Sequence, residues 1–187
     1  MSLSVVYYSN NRVSAKLQRF CLETLQAHVP GELVCVIRPD GISHRDIYCQ
    51  ILDGIAASKG SLIALAEHDV LYPAGYFEAL ARAARAGVVY NTNIWRLSSR
   101  GYFRTTNPHL LSNCGAPREI LIRRLRRKLA EGVPRWAEPK ADAEFVSPHP
   151  TIDIRHGRNF TGDRHAHDDR YRKSIPYWGH YQKFLVG

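Results

Sequence analysis

The chain has 187 residues, of which 44% are hydrophobic and 23% are charged, and these proportions are those of a globular protein with one buried core. Lys and Arg number 26 against 17 Asp and Glu, so the net charge is +9, which favours a polyanionic partner such as nucleic acid, a nucleotide or an anionic surface. No apolar run approaches the roughly 20 residues of a membrane span and no signal peptide pattern opens the chain, so we expect a cytoplasmic protein that does not enter a membrane. The four cysteines form no C-x-x-C pair, which excludes a zinc knuckle and a dense disulfide framework and predicts reduced thiols.

The first 87 residues alternate between apolar strand patterns and segments with helical spacing. The predicted strands are 4–8, 32–37 and 61–66, and the predicted helices are 15–28, 43–58 and 73–87. Ser14 and Ser43 stand where helix N-caps are expected, and Pro73 suits a helix start. This alternation predicts a parallel sheet with right-handed crossovers and a ligand site along its carboxyl edge.

The rhythm changes after Gly87. Residues 88–97 and 102–105 predict the two strands of a hairpin, 117–131 a basic helix with one leucine-rich face, and 151–155 a last short strand. We therefore expect an α/β fold, a three-layer αβα sandwich whose mostly parallel central sheet becomes mixed in the C-terminal half. One domain is expected, with a nucleotide-binding half at 1–87 and an acceptor-binding half at 88–187.

The third predicted strand runs directly into Glu67, His68 and Asp69 without a turn residue between them. Acidic side chains at the exit of a buried strand cost solvation free energy unless a positive charge lies there, and a divalent cation is the obvious candidate. The alternative is that Glu67 and Asp69 are the solvated start of a loop, with Asp69 capping the next helix. Both interpretations stay open on this stretch alone.

The order and spacing of several motifs in the first half resemble the nucleotide-binding half of the GT-A glycosyltransferases, particularly the family-2-like group. The motifs are V-V-Y-Y-S, P-D-G-I-S and L-D-G-I-A-A-S-K-G-S-L-I-A-L-A-E-H-D, followed by a proline-led helix. The resemblance implies transfer of a sugar from a nucleotide sugar, with UDP as the expected nucleotide, to an acceptor hydroxyl. It also implies that Tyr8 and Ser9 line the nucleoside pocket and that Asp40 accepts a hydrogen bond from the base. Asn10 and Arg45 are added to these donor-binding candidates.

By the same resemblance, Glu67, His68 and Asp69 stand in the place of the family's D-x-D motif, and Asp69 is the direct metal ligand. Glu67 departs from the pattern, since Asp is usual there. His156, which follows the last predicted strand, matches a C-terminal histidine that often supplies a further ligand. The metal would be Mn²⁺ or Mg²⁺, which can neutralise the charge that builds on the departing diphosphate. Phosphate-binding arginines are expected beside His156: Arg155, Arg158 and Arg164.

A catalytic base is harder to place. An inverting enzyme needs a carboxylate within hydrogen-bond reach of the acceptor hydroxyl, and the acceptor half offers Glu119, Asp142 and Glu144. Each of these residues can equally be an ordinary acid on the protein surface with no catalytic role. A retaining enzyme can work with none of the three, so the stereochemistry stays open.

Three further hypotheses concern nucleic acid and metal. The positive charge and the Arg-rich aromatic tail suggest DNA as the acceptor. A phage-type enzyme of this kind would glycosylate a hydroxymethylated base that is flipped out of the base stack. Such an enzyme would be located in the host cytoplasm. A rival is a catalytically inactive nucleic-acid-binding protein on a GT-A-like scaffold, suggested by Glu67. A third is a metal-dependent hydrolase or nuclease using four tail residues: His165, His167, Asp168 and Asp169. The basic helix is either a nucleic-acid face or merely exposed.

Overall fold

A computed structural model describes residues 2–10, 12–39, 43–104, 109–132, 138–155 and 171–185. Within them the helices are α1 (Ala15–His28), α2 (His44–Ala57), α3 (Tyr76–Ala83) and α4 (Arg118–Ala130). The strands are β1 (Leu3–Ser9), β2 (Glu32–Ile37), β3 (Leu62–Glu67), β4 (Val70–Leu71), β5 (Val89–Asn91), β6 (Ile94–Ser98), β7 (Gly101–Arg104), β8 (Cys114–Pro117), β9 (Ala143–Phe145), β10 (Thr151–Ile154), β11 (Ser174–Ile175) and β12 (Gly179–His180).

The larger sheet has the strand order β2-β1-β3-β8-β5-β9. Strands β1, β2 and β3 are parallel, β8 runs antiparallel to both of its neighbours, and β9 is parallel to β5. The fold is therefore a mixed α/β fold, and the prediction of a parallel sheet that becomes mixed is confirmed. Because β1 and β3 are in register at Tyr8 and Glu67, their carboxyl ends meet at one edge.

Helices cover both faces of this sheet because successive strand residues point to opposite sides. Val6 and Tyr8 of β1 pack in one buried cluster with α2 and α4, whereas Val5 and Tyr7 pack in another with α1 and α3. Gly54 lets α2 approach β1 closely, since a Cβ there would lie 2.4 Å from a methyl group of Val6.

The predicted N-cap residues of α1 and α2, Ser14 and Ser43, are confirmed. The Ser14 hydroxyl accepts a hydrogen bond from the Leu17 amide, and Ser43 forms a reciprocal capping box with Asp46. The expected third helix was too long: α3 begins at Tyr76, after Gly75 in the left-handed conformation, and ends at Ala83.

No helix in the described ranges is long and apolar enough to cross a membrane. All four cysteines are free thiols.

The predicted hairpin is present as the antiparallel pair β6 and β7, but its first strand, 88–97, was predicted too long, because the chain divides there between two sheets. Strand β5 stays in the larger sheet, and β6 enters a second sheet with the order β4-β10-β6-β7. The Asn91 side chain explains the break, since its Oδ1 accepts hydrogen bonds from the amides of Asn93 and Ser147, each at 3.0 Å. The chain turns around this side chain instead of continuing as a strand.

Asn91 also belongs to a buried polar network that joins the two sheets. Asn91, Asn113 and Thr151 are fully buried, and the Thr151 hydroxyl donates to Asn113 Oδ1 at 2.7 Å. Asn91 Nδ2 adds longer hydrogen bonds to Asn113 and Thr151. Since Thr151 opens β10, the network fixes the second sheet against the first.

We expect Asn91→Leu to destabilise the fold by about 3 kcal/mol, because it leaves several buried donors and acceptors without partners. Thr92→Val is the matched control, since Thr92 is only half buried and its hydroxyl makes one long bond to Phe145; its cost should be under about 1 kcal/mol. Urea unfolding measures both. Equal midpoints for the two variants would show that the network does not hold the sheets together.

Candidate functional site

The carboxyl ends of β1 and β3 bring Tyr8 and Glu67 together. The Tyr8 hydroxyl donates to Glu67 Oε2 at 3.4 Å. The Glu67 amide donates to the Tyr72 hydroxyl at 3.1 Å, and that hydroxyl donates to the Ser112 carbonyl at 2.8 Å. Two tyrosines therefore fix the position of Glu67 at the edge of the sheet.

Asp69 lies where the chain passes from the larger sheet to the second one. Its carbonyl accepts a hydrogen bond from the Ile154 amide at 2.8 Å, and the following residue, Val70, pairs with Asp153 of β10. Asp69 and Asp153 are 6% and 7% exposed. The structure thus adds a buried acid, Asp153, that the sequence analysis missed. The signal that could have marked it was a charged residue within a short apolar strand pattern.

Two arginines neutralise part of this acidic region. Arg96 Nε lies 3.2 Å from Asp153 Oδ2, and Arg155 Nη1 lies 3.8 Å from the same oxygen. Register places Arg96 directly opposite Asp153 on the neighbouring strand β6. Arg155, expected to contact phosphate, is thus positioned beside a carboxylate at the same edge.

Burial and nearby carboxylates raise the pKa of Glu67 and of Asp153. Burial raises the pKa of Glu67 well above its usual value, and the nearby charges of Asp69, Asp153 and Glu138 raise it further. Burial and Asp69 raise the pKa of Asp153, whereas Arg96 and Arg155 lower it. A region that disfavours its own negative charge in this way would be stabilised by an added cation.

A hard divalent cation suits these carboxylate oxygens, and Mg²⁺ is commonly held by one or two carboxylates together with phosphate oxygens of a substrate. Among the residues the structure describes, no group of three His, Cys, Asp or Glu side chains could hold a metal by itself. The predicted ligand His156 lies outside the described residues, as do Asp40, Arg158, Arg164 and the four tail residues of the nuclease hypothesis. Any metal at Asp69 would therefore share its coordination with a bound phosphate or with groups beyond the described part.

The other predicted donor residues line the ends of β1 and β2. The Ser9 hydroxyl accepts a hydrogen bond from Gln18 Nε2 at 3.3 Å. The Ser9 backbone carbonyl accepts a hydrogen bond from Gln50 Nε2 at 2.7 Å. Gln50 also donates to the Val36 carbonyl, so it bridges both strands at this edge. Asn10 Oδ1 accepts from a nearby backbone amide.

Two of the donor candidates differ in exposure. His68 is buried between Glu67 and Asp69, whereas Arg45 is exposed in the first turn of α2. The N-terminus of α2 follows β2, so Arg45 also lies on the side of the sheet that carries the site.

The structure does not bring the three candidate bases to one place. Glu119 is exposed in the first turn of α4, two residues after Pro117, which pairs with the first residue of β3 at the amino edge. Asp142 binds the Val88 amide at 2.9 Å and Arg124 at 2.8 Å, so it holds the start of β5. Glu119 and Asp142 therefore lie away from the carboxyl edge of the sheet.

Glu144 lies nearer that edge but at its far side. It is exposed on the edge strand β9, opposite Tyr90, and its Oε1 lies 2.6 Å from His109 Nε2. Three strand spacings separate β9 from β3 in the order of the sheet. At about 4.8 Å per spacing, the strands that carry Glu144 and Glu67 lie roughly 14 Å apart.

Glu138 is a second acid that the sequence analysis missed. Its Oε2 is buried without a hydrogen-bond partner in the described part of the chain, and burial raises its pKa to about 8. Its charge acts on Glu67 and on the hydroxyls of Tyr8 and Tyr90. Because it follows no strand or motif, no sequence signal marks it.

Comparisons with known proteins add little to this description. No family model and no curated protein matches the chain. Among solved structures, the crystal structure of A197 from STIV aligns with 73% of this chain and 71% of its own, at 17% identity and a TM-score of 0.40. A likeness this weak carries no argument about function.

We expect the stability of the protein to fall as the pH rises from about 4.5 to about 8, because folded Glu138 keeps its proton in that range and unfolded Glu138 does not. Glu138→Gln removes the part of this dependence that Glu138 contributes and should stabilise the fold at pH 8 by up to about 4 kcal/mol, with little change at pH 4. Urea unfolding across this pH range measures the difference. Glu131→Gln, at an exposed acid paired with Arg127, should show no such gain. A constant difference between Glu138→Gln and the unsubstituted protein at every pH would contradict the assignment.

Proposed function

We propose that this protein is a metal-dependent glycosyltransferase with a GT-A-like three-layer fold, which transfers a sugar from a nucleotide sugar of the UDP class to an acceptor hydroxyl. The observation that carries the proposal is the meeting of Tyr8, Glu67, Asp69 and Asp153 at the carboxyl edge of the sheet. It is the edge at which open α/β sheets bind their ligands. The motif resemblance of the first half supplies the reaction class.

The reaction breaks the bond between the anomeric carbon and the phosphate oxygen, so negative charge builds on the departing diphosphate. A divalent ion bound at Asp69 would stabilise that charge as a Lewis acid. Burial and Asp69 raise the pKa of Asp153, and Arg96 and Arg155 offset part of that rise, so a bound cation would further favour its ionised form. Tyr8 and Ser9, at the end of β1, would contact the nucleoside.

The acceptor in this proposal is a polyanion, with DNA as the leading candidate because of the net charge of +9. The roles of His156, Asp40, Arg158 and Arg164 stay predictions. Glu144 is retained as the candidate base for a large acceptor only, since it is distant from Glu67.

We expect UDP-sugar with Mn²⁺ to raise the Tm by about 5–10 °C when the ligand is in 100-fold excess over its Kd. Thermal unfolding with a panel of nucleotide sugars, each with and without Mn²⁺, measures the effect. Asp69→Asn should abolish the metal-dependent part of the shift, whereas Glu131→Gln should retain it.

The rival functions give different outcomes in the same experiment. An inactive binding protein would respond to neither metal nor nucleotide sugar, and a nuclease would respond to metal alone. A metal-dependent shift that Asp69→Asn leaves intact would also contradict the proposed site. Release of the nucleoside diphosphate in the presence of acceptor then tests the transfer itself.

A further inference from the structure

A cluster of positive side chains lies on the second sheet, at the β6–β7 hairpin and the segment that follows residue 170. We call it the hairpin surface and define it by Arg100, Arg104, Arg172 and Lys173, all of them exposed. The two stretches that form it, 94–104 and 171–185, contain no Asp or Glu. The nearest strand carrying an acid is β10, whose Asp153 is already opposite Arg96.

The backbone fixes the two stretches against each other. Tyr102 and Arg172 exchange two hydrogen bonds, from the Tyr102 amide at 2.9 Å and from the Arg172 amide at 2.8 Å. Gly101 makes this approach possible, because it has a φ of 131° and a Cβ there would lie 2.7 Å from the Arg172 carbonyl oxygen. Arg172 is thereby held beside the hairpin as an added edge residue.

Aromatic rings hold the cationic groups in place. The guanidinium groups of Arg172 and Arg104 lie over the Trp95 ring, at 5.3 Å and 6.0 Å from its centroid. Lys173 Nζ lies 4.9 Å from the centre of the Tyr181 ring and donates to the Arg100 carbonyl. Contacts of this kind restrict the side chains while leaving their full positive charge.

The basic helix α4 makes a useful contrast. Two of its arginines are neutralised by carboxylates, Arg124 by Asp142 and Arg127 by Glu131. Arg104 and Arg172 have no such ion pair in the part of the chain that the structure describes. Several ordered cations of one sign repel one another, and a polyanion laid across them would relieve that repulsion.

The form of the surface favours a duplex over other polyanions. Single-strand binders stack bases on open aromatic rings, but the Trp95 ring lies under two guanidinium groups. Insertion into a membrane needs a group of protruding apolar side chains, but Phe103 on this hairpin is only 5% exposed, and Tyr177 and Leu185 are the only exposed large apolar residues of 94–104 and 171–185. Fixed guanidinium groups suit the phosphates of a duplex backbone, which they can bind bidentately.

We propose that the hairpin surface binds the phosphate backbone of duplex nucleic acid, through Arg104 and Arg172 held over Trp95. The binding is independent of sequence, since phosphates are the groups it recognises. It does not require the proposed transfer reaction. The surface and Asp153 belong to the same small sheet but lie on opposite faces of it, because Trp95 pairs with Arg104 and the next residue, Arg96, pairs with Asp153.

Fluorescence anisotropy with a short labelled duplex, over a range of salt concentrations, tests the proposal. We expect the double variant Arg104→Gln and Arg172→Gln to weaken binding at least about tenfold and to reduce the slope of log K against log salt by about 1.8, because each phosphate that an arginine neutralises adds about 0.9 to that slope. The control double variant, Arg123→Gln and Arg126→Gln, changes the net charge equally at exposed positions of α4 and should weaken binding less than about threefold. If the first double variant fails to fold, Arg104→Gln alone should reduce the slope by about 0.9.

Three results would overturn the proposal: equal losses of affinity in the two double variants, binding to single strands but not to the duplex, or binding to phosphatidylserine vesicles but not to the duplex. The nucleotide-sugar thermal shift should persist in the hairpin variant. If the hairpin variant loses duplex binding but keeps the thermal shift, the hairpin surface acts independently of the donor site. If the protein binds a duplex but shows no thermal shift, the proposal for this surface holds and the proposed donor site fails.

Discussion

The candidate site depends on how the protein balances negative charge where one sheet passes into the other. Glu67 ends β3, and Asp69 follows two residues later in the short connection to β4, so both carboxylates are placed by the backbone at the boundary. Asp153 joins them from β10, with Arg96 opposite it. Ionisation of all three carboxylates at once in a buried region would cost free energy. The positive charge of the two arginines, and of any bound cation, decides how much negative charge this edge holds.

The polar network around Asn91 gives this boundary its shape. It turns the chain out of β5, starts β6 in a different sheet, and ties Thr151 at the start of β10 to Asn113. The strand that carries Asp153 therefore lies where β4 can pair with it. The same sheet presents its cationic hairpin outward, so acidic and basic features share one small structural unit. Asp153 and Arg96 lie on one face of this sheet, and Trp95 with Arg104 on the other.

Local signals made much of the fold predictable from sequence. The serine caps and apolar spacing of α1 and α2, the apolar runs of β1 to β3, and the leucine-rich face of α4 all depend on residues close together in the chain. The short strands β4, β8 and β9 were not predictable, because they exist only through pairing with distant strands; Cys114–Pro117 even contains a glycine and a proline. Glu67 and Asp69 were marked by their position at the exit of an apolar strand, whereas Tyr8 was marked by the motif resemblance, and the roles of all three stay predictions. Asp153 and Glu138 were missed because only tertiary packing places them near the site.

Binding of Mn²⁺ at the carboxyl edge is the most direct test of the proposed donor site, and the electron paramagnetic resonance signal of free Mn²⁺ measures it. On titration with Mn²⁺ in the presence of UDP, we expect the protein to bind one Mn²⁺ per chain beyond the amount that UDP alone binds, and we expect no such extra binding for Asp69→Asn. Binding should be weaker without UDP, because phosphate oxygens complete the coordination. If the protein binds no Mn²⁺ beyond what each nucleoside diphosphate binds alone, or if Asp69→Asn binds as much as the unsubstituted protein, the claim that these carboxylates form a metal-dependent donor site is contradicted.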